Sequence, residues 1–195
     1  QEYKESGFDF IGQVPRHWET RKLKFNVSKV GSGVTPKGGA ESYESQGVPL
    51  LRSQNVHFNG LRLDDVVYIS KDTHKDMNNS QVSVGDVLLN ITGASIGRCY
   101  FLNEDIGEAN VNQHVCIIRP EHGLLTRFLN YIMASEIGQQ QINMEQSGSG
   151  REGLNFLALK NFIIPLVDEN EQLKITDFLD WKTGQIDGLI VKKKQ

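Results

Sequence analysis

Hydrophobic period changes at Pro120, and that change limits what the chain can fold into more than any single motif does. Before it, short runs of Val, Leu, Ile and Tyr are bounded by Gly, Asn or Asp, which is the pattern of strands and their turns. "VPLLRSQNVHF" (48–58), "DVVYIS" (65–70), "GDVLLNITG" (85–93), "IGRCYFL" (96–102) and "QHVCIIRP" (113–120) each read as a strand, so strands dominate residues 48–119. In "GDVLLNITG" the unbroken Val87-Leu88-Leu89 run suits a buried strand. Upstream, "WETRKLKFNVSKV" sets Leu23 and Val27 four apart among basic residues, predicting a short helix that leads into a strand. "GSGVTPKGG" (31–39) packs four glycines and a proline into nine residues and reads as a loop.

After Pro120 the spacing becomes helical. Leu125, Phe128, Leu129, Ile132, Met133 and Ile137 share one face of "LLTRFLNYIMASEIGQQQI" (124–142), predicting one amphipathic helix against the core. "FLALKNFIIPL" (156–166) reads as a short turn and a strand ending at Pro165. From Asp168 a second helical pattern places Ile175, Leu179, Lys182, Ile186 and Leu189 along one seam. Asp168, Glu169 and Glu171 at its start and Lys192, Lys193 and Lys194 at its end match the helix dipole. This helix projects with no obvious partner inside the chain. The fold class expected is α+β: a mainly β domain over 1–166 with flanking helices, then a long C-terminal helix over 167–195 suited to a coiled coil.

Composition excludes several functions. A chain of 195 residues that is 38% hydrophobic and 23% charged supports one sizeable core with an appended helix. No apolar run reaches the roughly 20 residues of a membrane span, and the amino terminus lacks the order of a secretory signal, so a cytoplasmic location is expected. Cys99 and Cys116 are too few for a disulfide framework. The net charge of −3 lacks the usual nucleic-acid excess, yet residues 1–60 carry eight Lys/Arg against six Asp/Glu, and residues 61–110 four against eight. An anion-binding face would therefore be built locally from the N-terminal segment and a few later arginines.

Gly148, Gly150 and Gly153 in "SGSGREGLNF" (147–156) match G-x-G-x-x-G. A dinucleotide site needs that motif directly after a strand and opening a helix. Here it follows a helix and precedes a strand, so a nucleotide-binding enzyme is only the alternative. Lys37 does not make "GSGVTPKGG" a P-loop, since no G-K-[ST] ending follows. His114 and Cys116 alternate onto one strand face, but a structural metal site needs four ligands at recognisable spacing, so core packing is expected and no metal or cofactor is assigned.

The ordered pieces "IGQVPRHWETRKLK", "GSGVTPK", "VPLLRSQNV", "VGDVLLNITGASIGR", "VNQHVCIIRP", "SGREGLNFLALKNFIIPL" and "NEQLKITDFLDWKTGQIDGLI" together resemble the target-recognition domain and following helix of a type I restriction-modification specificity subunit. The resemblance runs from about Ile11 to Ile190. It implies a non-catalytic unit that reads half of a split double-stranded DNA target and holds methyltransferase subunits over it, with restriction subunits in larger complexes. Full subunits carry two such units, and no internal repeat is found here, which makes this a half-subunit expected to pair with a second copy through the C-terminal helix. One departure is Val167-Asp168-Glu169-Asn170 where the family often has further prolines. A helical adaptor that does not touch DNA is the other alternative. Consistent with a reader, there is no Asn-Pro-Pro-aromatic stretch for adenine methylation and no P-loop for translocation.

Major-groove readout uses Arg on guanine, Asn or Gln on adenine, and Ser or Thr on either. The polar loops hold those types: Arg52, Ser53, Gln54 and Asn55; Asn90, Thr92, Ser95 and Arg98; Asn110, Asn112 and Gln113; Ser147, Ser149, Arg151 and Asn155. With Lys37 as a phosphate contact, these are the candidate DNA-binding residues. The competing explanation for each is structural: arginines pair with surface carboxylates, and Ser and Asn favour strand ends and turns regardless of ligand.

Overall fold

The computed structural model describes residues 2–149 and 153–193. In chain order the strands are β1 (Tyr3–Glu5), β2 (Gln13–Pro15), β3 (Glu19–Lys22), β4 (Val27–Ser32), β5 (Val48–Leu51), β6 (Val56–His57), β7 (Gly60–Leu61), β8 (Val67–Ile69), β9 (Val87–Asn90), β10 (Cys99–Phe101), β11 (Asn110–Val111), β12 (Val115–Pro120) and β13 (Ile163–Leu166). The helices are α1 (Lys71–Asp76), α2 (Thr126–Ala134), α3 (Glu136–Ser149), α4 (Phe156–Lys160) and α5 (Glu169–Lys193).

An antiparallel sheet in the order β10-β9-β12-β4 forms the centre. Side chains alternate across a strand, so Val87 and Leu89 of β9 and Cys116 and Ile118 of β12 enter one core, with Phe128, Leu129 and Met133 of α2. Leu88 and Ile117 point the other way into a second core with Leu51, Val56 and Val111. Burial on both faces explains why β9 reads as a continuous apolar run rather than an alternating one. The second core is floored by a smaller sheet, β11-β5-β8, in which β11 runs parallel to β5. Gly33 joins the two sheets at close quarters: a Cβ there would sit 1.7 Å from the Val111 carbonyl oxygen, and its N–H donates to Asn112. The stretch read from sequence as a loop is therefore pinned at this glycine, and its first two residues, Gly31 and Ser32, already belong to β4.

Other sequence expectations change in detail. The short helix before β4 is a single 3-10 turn at Leu23–Phe25, preceded by β3. "VPLLRSQNVHF" is broken by a 3-10 turn at Ser53–Asn55 into β5 and β6. The single helix expected over 124–142 is two helices, because Ser135 is extended at ψ 173° and its hydroxyl donates to the Ile132 carbonyl. Gly138 lets α3 turn back onto α2; a Cβ there would meet Met133 O at 2.5 Å. Helix α3 then runs on through Ser147 to Ser149, which replaces the expected start of a loop.

β3 and β13 pair antiparallel, with Glu19 opposite Leu166, so segments from the two ends of the β-rich domain close on one another. Gln141 of α3 extends this ribbon through its side chain, donating to Ile163 O at 3.0 Å and accepting from Ile163 N–H at 2.7 Å. Immediately beyond β13, α5 departs. Its first turns are fastened to the domain. The Glu171 carboxylate accepts from Trp18 Nε1 at 3.0 Å and meets His17 Nε2 at 2.8 Å. Gln172 is completely buried: its oxygen accepts from Leu125 N–H, and its amide donates to the Gly123 and Val167 carbonyls. Arg127 of α2 pairs with Asp177 and Asp180, and Tyr131 donates to Asp180. From Trp181 to Ile190 the helix is exposed on every side. No helix among the described residues is long and apolar enough to cross a membrane.

Candidate nucleic-acid interface

One end of the central sheet carries a cleft of about 430 Å³ lined by Ser53, Gln54, Thr92, Gly93, Ala94, Ser95, Arg98 and His114. Its position follows from strand register. The turn joining β9 to β10 supplies Thr92 to Arg98, and β12 begins beside the end of β9, which brings His114 next to Ile91 through an Ile91 N–H to His114 O bond of 3.0 Å. The 3-10 turn after β5 adds Ser53 and Gln54 from the smaller sheet.

Buried amides hold these turns in place. Asn90, fully buried, donates to Ser53 O at 2.8 Å and to Ser95 Oγ at 3.2 Å, tying the two turns together. Asn55, also fully buried, accepts from the Arg52 N–H and donates to Arg62 O and Asp65 Oδ1. The other oxygen of Asp65 accepts from Gln54 Nε2 at 2.6 Å, which fixes the orientation of the Gln54 amide. At the far wall, Gln113 Nε2 lies 2.9 Å from His114 Nε2, and His114 Nδ1 lies 2.6 Å from Thr92 Oγ1. An amide nitrogen only donates, so this network assigns His114 Nε2 as acceptor and Nδ1 as the protonated nitrogen, donating to Thr92. The Thr92 hydroxyl hydrogen is then left to point at a further acceptor.

Among the described residues no carboxylate lines the cleft, and Arg98 is the only permanent charge there. The half-buried Arg98 guanidinium has no hydrogen-bond or ion-pair partner among the described residues. Its counterparts elsewhere are compensated: Arg119 binds the fully buried Asp86 at 2.7 Å, a hydrogen bond that raises the Arg119 pKa, and Arg127 binds Asp177 at 3.0 Å. Arg52 donates to Asp65 O at 3.1 Å and lies over the Tyr43 ring at 5.8 Å.

Of the residues singled out in the sequence, Ser53, Gln54, Thr92, Ser95 and Arg98 therefore meet in one place. Five others spend hydrogen-bonding capacity inside the fold, and the cleft does not include them. Asn55 and Asn90 are enclosed as described. Asn110, equally buried, binds His74, Met77 O and Ser80. Asn112 accepts from His114 N–H and sets the turn into β12. Asn155 caps α4 by accepting from Ala158 N–H at 2.8 Å. Gln113 lies behind the cleft as the His114 partner. Lys37 is exposed on the turn after Pro36, outside the cleft lining. Ser147 is exposed on α3 beside Gln140, Asn143 and Met144, and Ser149 is the last residue of that helix. Gly148 is helical, so the first glycine of the motif follows a helix and not a strand. Gly150 and Arg151 lie outside the described residues. Where the description resumes, Gly153 packs against Thr92 and Leu154 N–H donates to Ile91 O, both at the cleft rim.

Sequence reasoning missed His114 as a cleft residue, reading it as core. A signal existed: it follows Gln113 at the polar start of a strand, where a side chain sits on the sheet's edge. Among the described residues no group of three or more His, Cys, Asp or Glu is placed to hold a metal.

Residues 15–190 match the type I restriction modification DNA specificity domain. The chain belongs to that family. As a specificity domain, it is 31% identical over 130 residues to the EcoBI specificity subunit of Escherichia coli, an alignment covering 66% of this chain and 27% of the relative. It is 25% identical over 201 residues to the MjaIX specificity subunit of Methanocaldococcus jannaschii, covering all of this chain and 43% of the relative. The specificity domain thus spans less than half the length of these relatives. Its fold matches a chain from a study of complex assembly and conformational transition of the type I R-M system, at TM-score 0.70 and 20% identity, over 96% of this chain and 42% of the other. It also matches the HsdS subunit from Thermoanaerobacter tengcongensis, at TM-score 0.67 and 21% identity, over 96% and 41%.

On α5 the seam expected from sequence divides. Ile175 packs against the main core of the specificity domain, and Leu179 is half-buried. Lys182, Ile186 and Leu189 are exposed, the last two at 54% and 67%.

Proposed function

We propose that this specificity domain reads one half of a bipartite DNA target for a type I restriction-modification system and carries no reaction of its own. The observation that supports this most is the cleft at the sheet end: its charge is an arginine lacking a carboxylate partner among the described residues, surrounded by hydroxyl, amide and imidazole groups, which is the donor set that base edges and phosphates accept from. Residues 1–166 form the reading unit, with Ser53, Gln54, Thr92, Ser95 and Arg98 at its centre and Lys37, Arg52, Ser147, Ser149 and Arg151 as flanking contacts. The segment 167–195 joins and spaces such units. Lys182, Ile186 and Leu189 form a coiled coil with the matching helix of a second unit, and methyltransferase subunits dock on the assembly.

Mapping adenine methylation in DNA from cells that express the specificity protein with its methyltransferase partner tests the reading. A bipartite motif that disappears when this chain is removed is the expected result. Methylation with no sequence preference, or a motif unchanged by the removal, refutes it. Light scattering tests the helix separately: a dimer that dissociates on Ile186→Glu substitution supports the coiled coil, whereas a monomer at high concentration counts against it.

A further inference from the structure

The cleft carries more than a general affinity for DNA. Three of its groups have hydrogen-bonding capacity with a fixed sense. Arg98 presents only donors, and a half-buried arginine with no carboxylate beside it among the described residues calls for an acceptor-rich ligand edge. Gln54 spends one amide hydrogen on Asp65 at 2.6 Å, which fixes the end of the amide that carries nitrogen and leaves the carbonyl oxygen Oε1 as its free acceptor among the described residues. Thr92 already accepts from His114 Nδ1, which directs its hydroxyl hydrogen outward as a donor. The cleft therefore offers a forked pair of donors, one oriented acceptor and one further donor, with hydroxyls of Ser53 and Ser95 between them.

In the major groove a G·C pair shows guanine N7 and O6 as two adjacent acceptors, followed by the cytosine N4 amino donor; an A·T pair has an amino donor in the middle of its edge and a methyl group at its end. We propose that this cleft reads a single G·C pair of the half-site: the Arg98 fork donates to guanine N7 and O6, and Gln54 Oε1 accepts from cytosine N4. Asp65 is a positioning residue, because it decides which end of the Gln54 amide faces the base pair. Thr92, aimed by His114 and Gln113, meets an acceptor next to that pair. The inference rests on the DNA-reading function proposed above and adds the base pair and the residues that select it.

The test is selection of bound duplexes from a randomised library by the specificity protein assembled with its methyltransferase partner, followed by affinity measurements on single-position variants. Wild-type protein is expected to return a half-site with at least one required G·C pair. Arg98→Gln is expected to lose preference at one such pair while the remaining positions are kept, a drop of about 5- to 150-fold for the cognate duplex, the range for one bidentate contact. Replacing that guanine with 7-deazaguanine, which lacks N7, should weaken the wild type and leave Arg98→Gln unaffected; the wild-type arm needs no folded variant. A half-site without G·C, an unchanged preference in Arg98→Gln, or an equal loss on all sequences with the salt slope reduced by about one, as for a phosphate contact, overturns the inference while leaving the reading function intact. Failure of the wild type to enrich any sequence would instead remove the reading function itself.

Discussion

Gln172 offers the sharpest test of how the long helix is held. Its side chain is fully buried and makes three hydrogen bonds: from Leu125 N–H at 2.9 Å, to Gly123 O at 2.6 Å and to Val167 O at 2.7 Å. These bonds reach the turn before α2, the N-cap of α2 and the residue after β13, so one amide fastens α5 to two other elements. Gln172→Leu keeps the approximate volume and removes every bond. The orphaned Leu125 N–H costs about 1–3 kcal/mol, and the two carbonyls, each able to find a second partner more easily, add about 1 kcal/mol apiece. Added leucine surface returns about 1 kcal/mol, leaving a net loss of about 2–4 kcal/mol. In a unit of this size that corresponds to a Tm lowered by about 5–15 °C. Thermal denaturation followed by circular dichroism measures it, with the exposed Lys174→Ala as a control expected within about 0.5 kcal/mol of wild type. If Gln172→Leu melts within the control's range, the amide is not what fixes the helix, and the reasoning fails.

Hydrogen bonds from His17 and then Trp18 hold the Glu171 carboxyl below its ordinary pKa, so the stability it contributes is present above the unfolded value of about 4.3 and is lost as pH falls through the lower folded value. Melting temperatures of wild type and Glu171→Gln should differ at neutral pH and converge in that acid window; a difference that persists to the lowest pH would contradict this. Burial pushes the Cys99 and Cys116 thiols up to about 12, so a thiol reagent should label neither in native protein at neutral pH and both after denaturation. Rapid native labelling of either would show that its core opens. Asn55→Ala should cost about 2–4 kcal/mol in urea denaturation because it strands the Arg52 N–H and the Arg62 carbonyl around a fully buried site, and a stable variant with altered base preference would return Asn55 to the reading surface.

Much of the architecture was legible in the sequence because burial leaves a period. The runs at 85–93, 96–102 and 113–120 became β9, β10 and β12, and the acidic start and basic end of α5 bracket a real helix. The break at Ser135 was not legible, since Ile132, Met133 and Ile137 keep helical spacing across it and only the fold of α3 back onto α2 interrupts the backbone. For the candidate site, residue type was a weaker guide than position. Asn55, Asn90, Asn110, Asn112 and Asn155 carry the same donors and acceptors that would read adenine, and each commits at least one of them to neighbouring backbone or side chains instead. Asn155 had a visible sign of its role: it stands just before the helical "FLALK". Arg98 had no such sign. It stands out because no carboxylate among the described residues lines the cleft around it, which is a property of the folded surroundings and not of its neighbours in the chain.

The ribbon of β3 and β13 has a consequence for how such proteins diversify. Because Glu19 faces Leu166, the roughly 140 residues between Lys22 and Ile163 hang from a two-stranded stem whose base is set by four paired positions. Turns at the opposite reaches of that loop-out can be lengthened, recoloured or exchanged without shifting where the rod begins. If the domain reads DNA as proposed, a new preference for bases can be grafted while the rod keeps its point of departure.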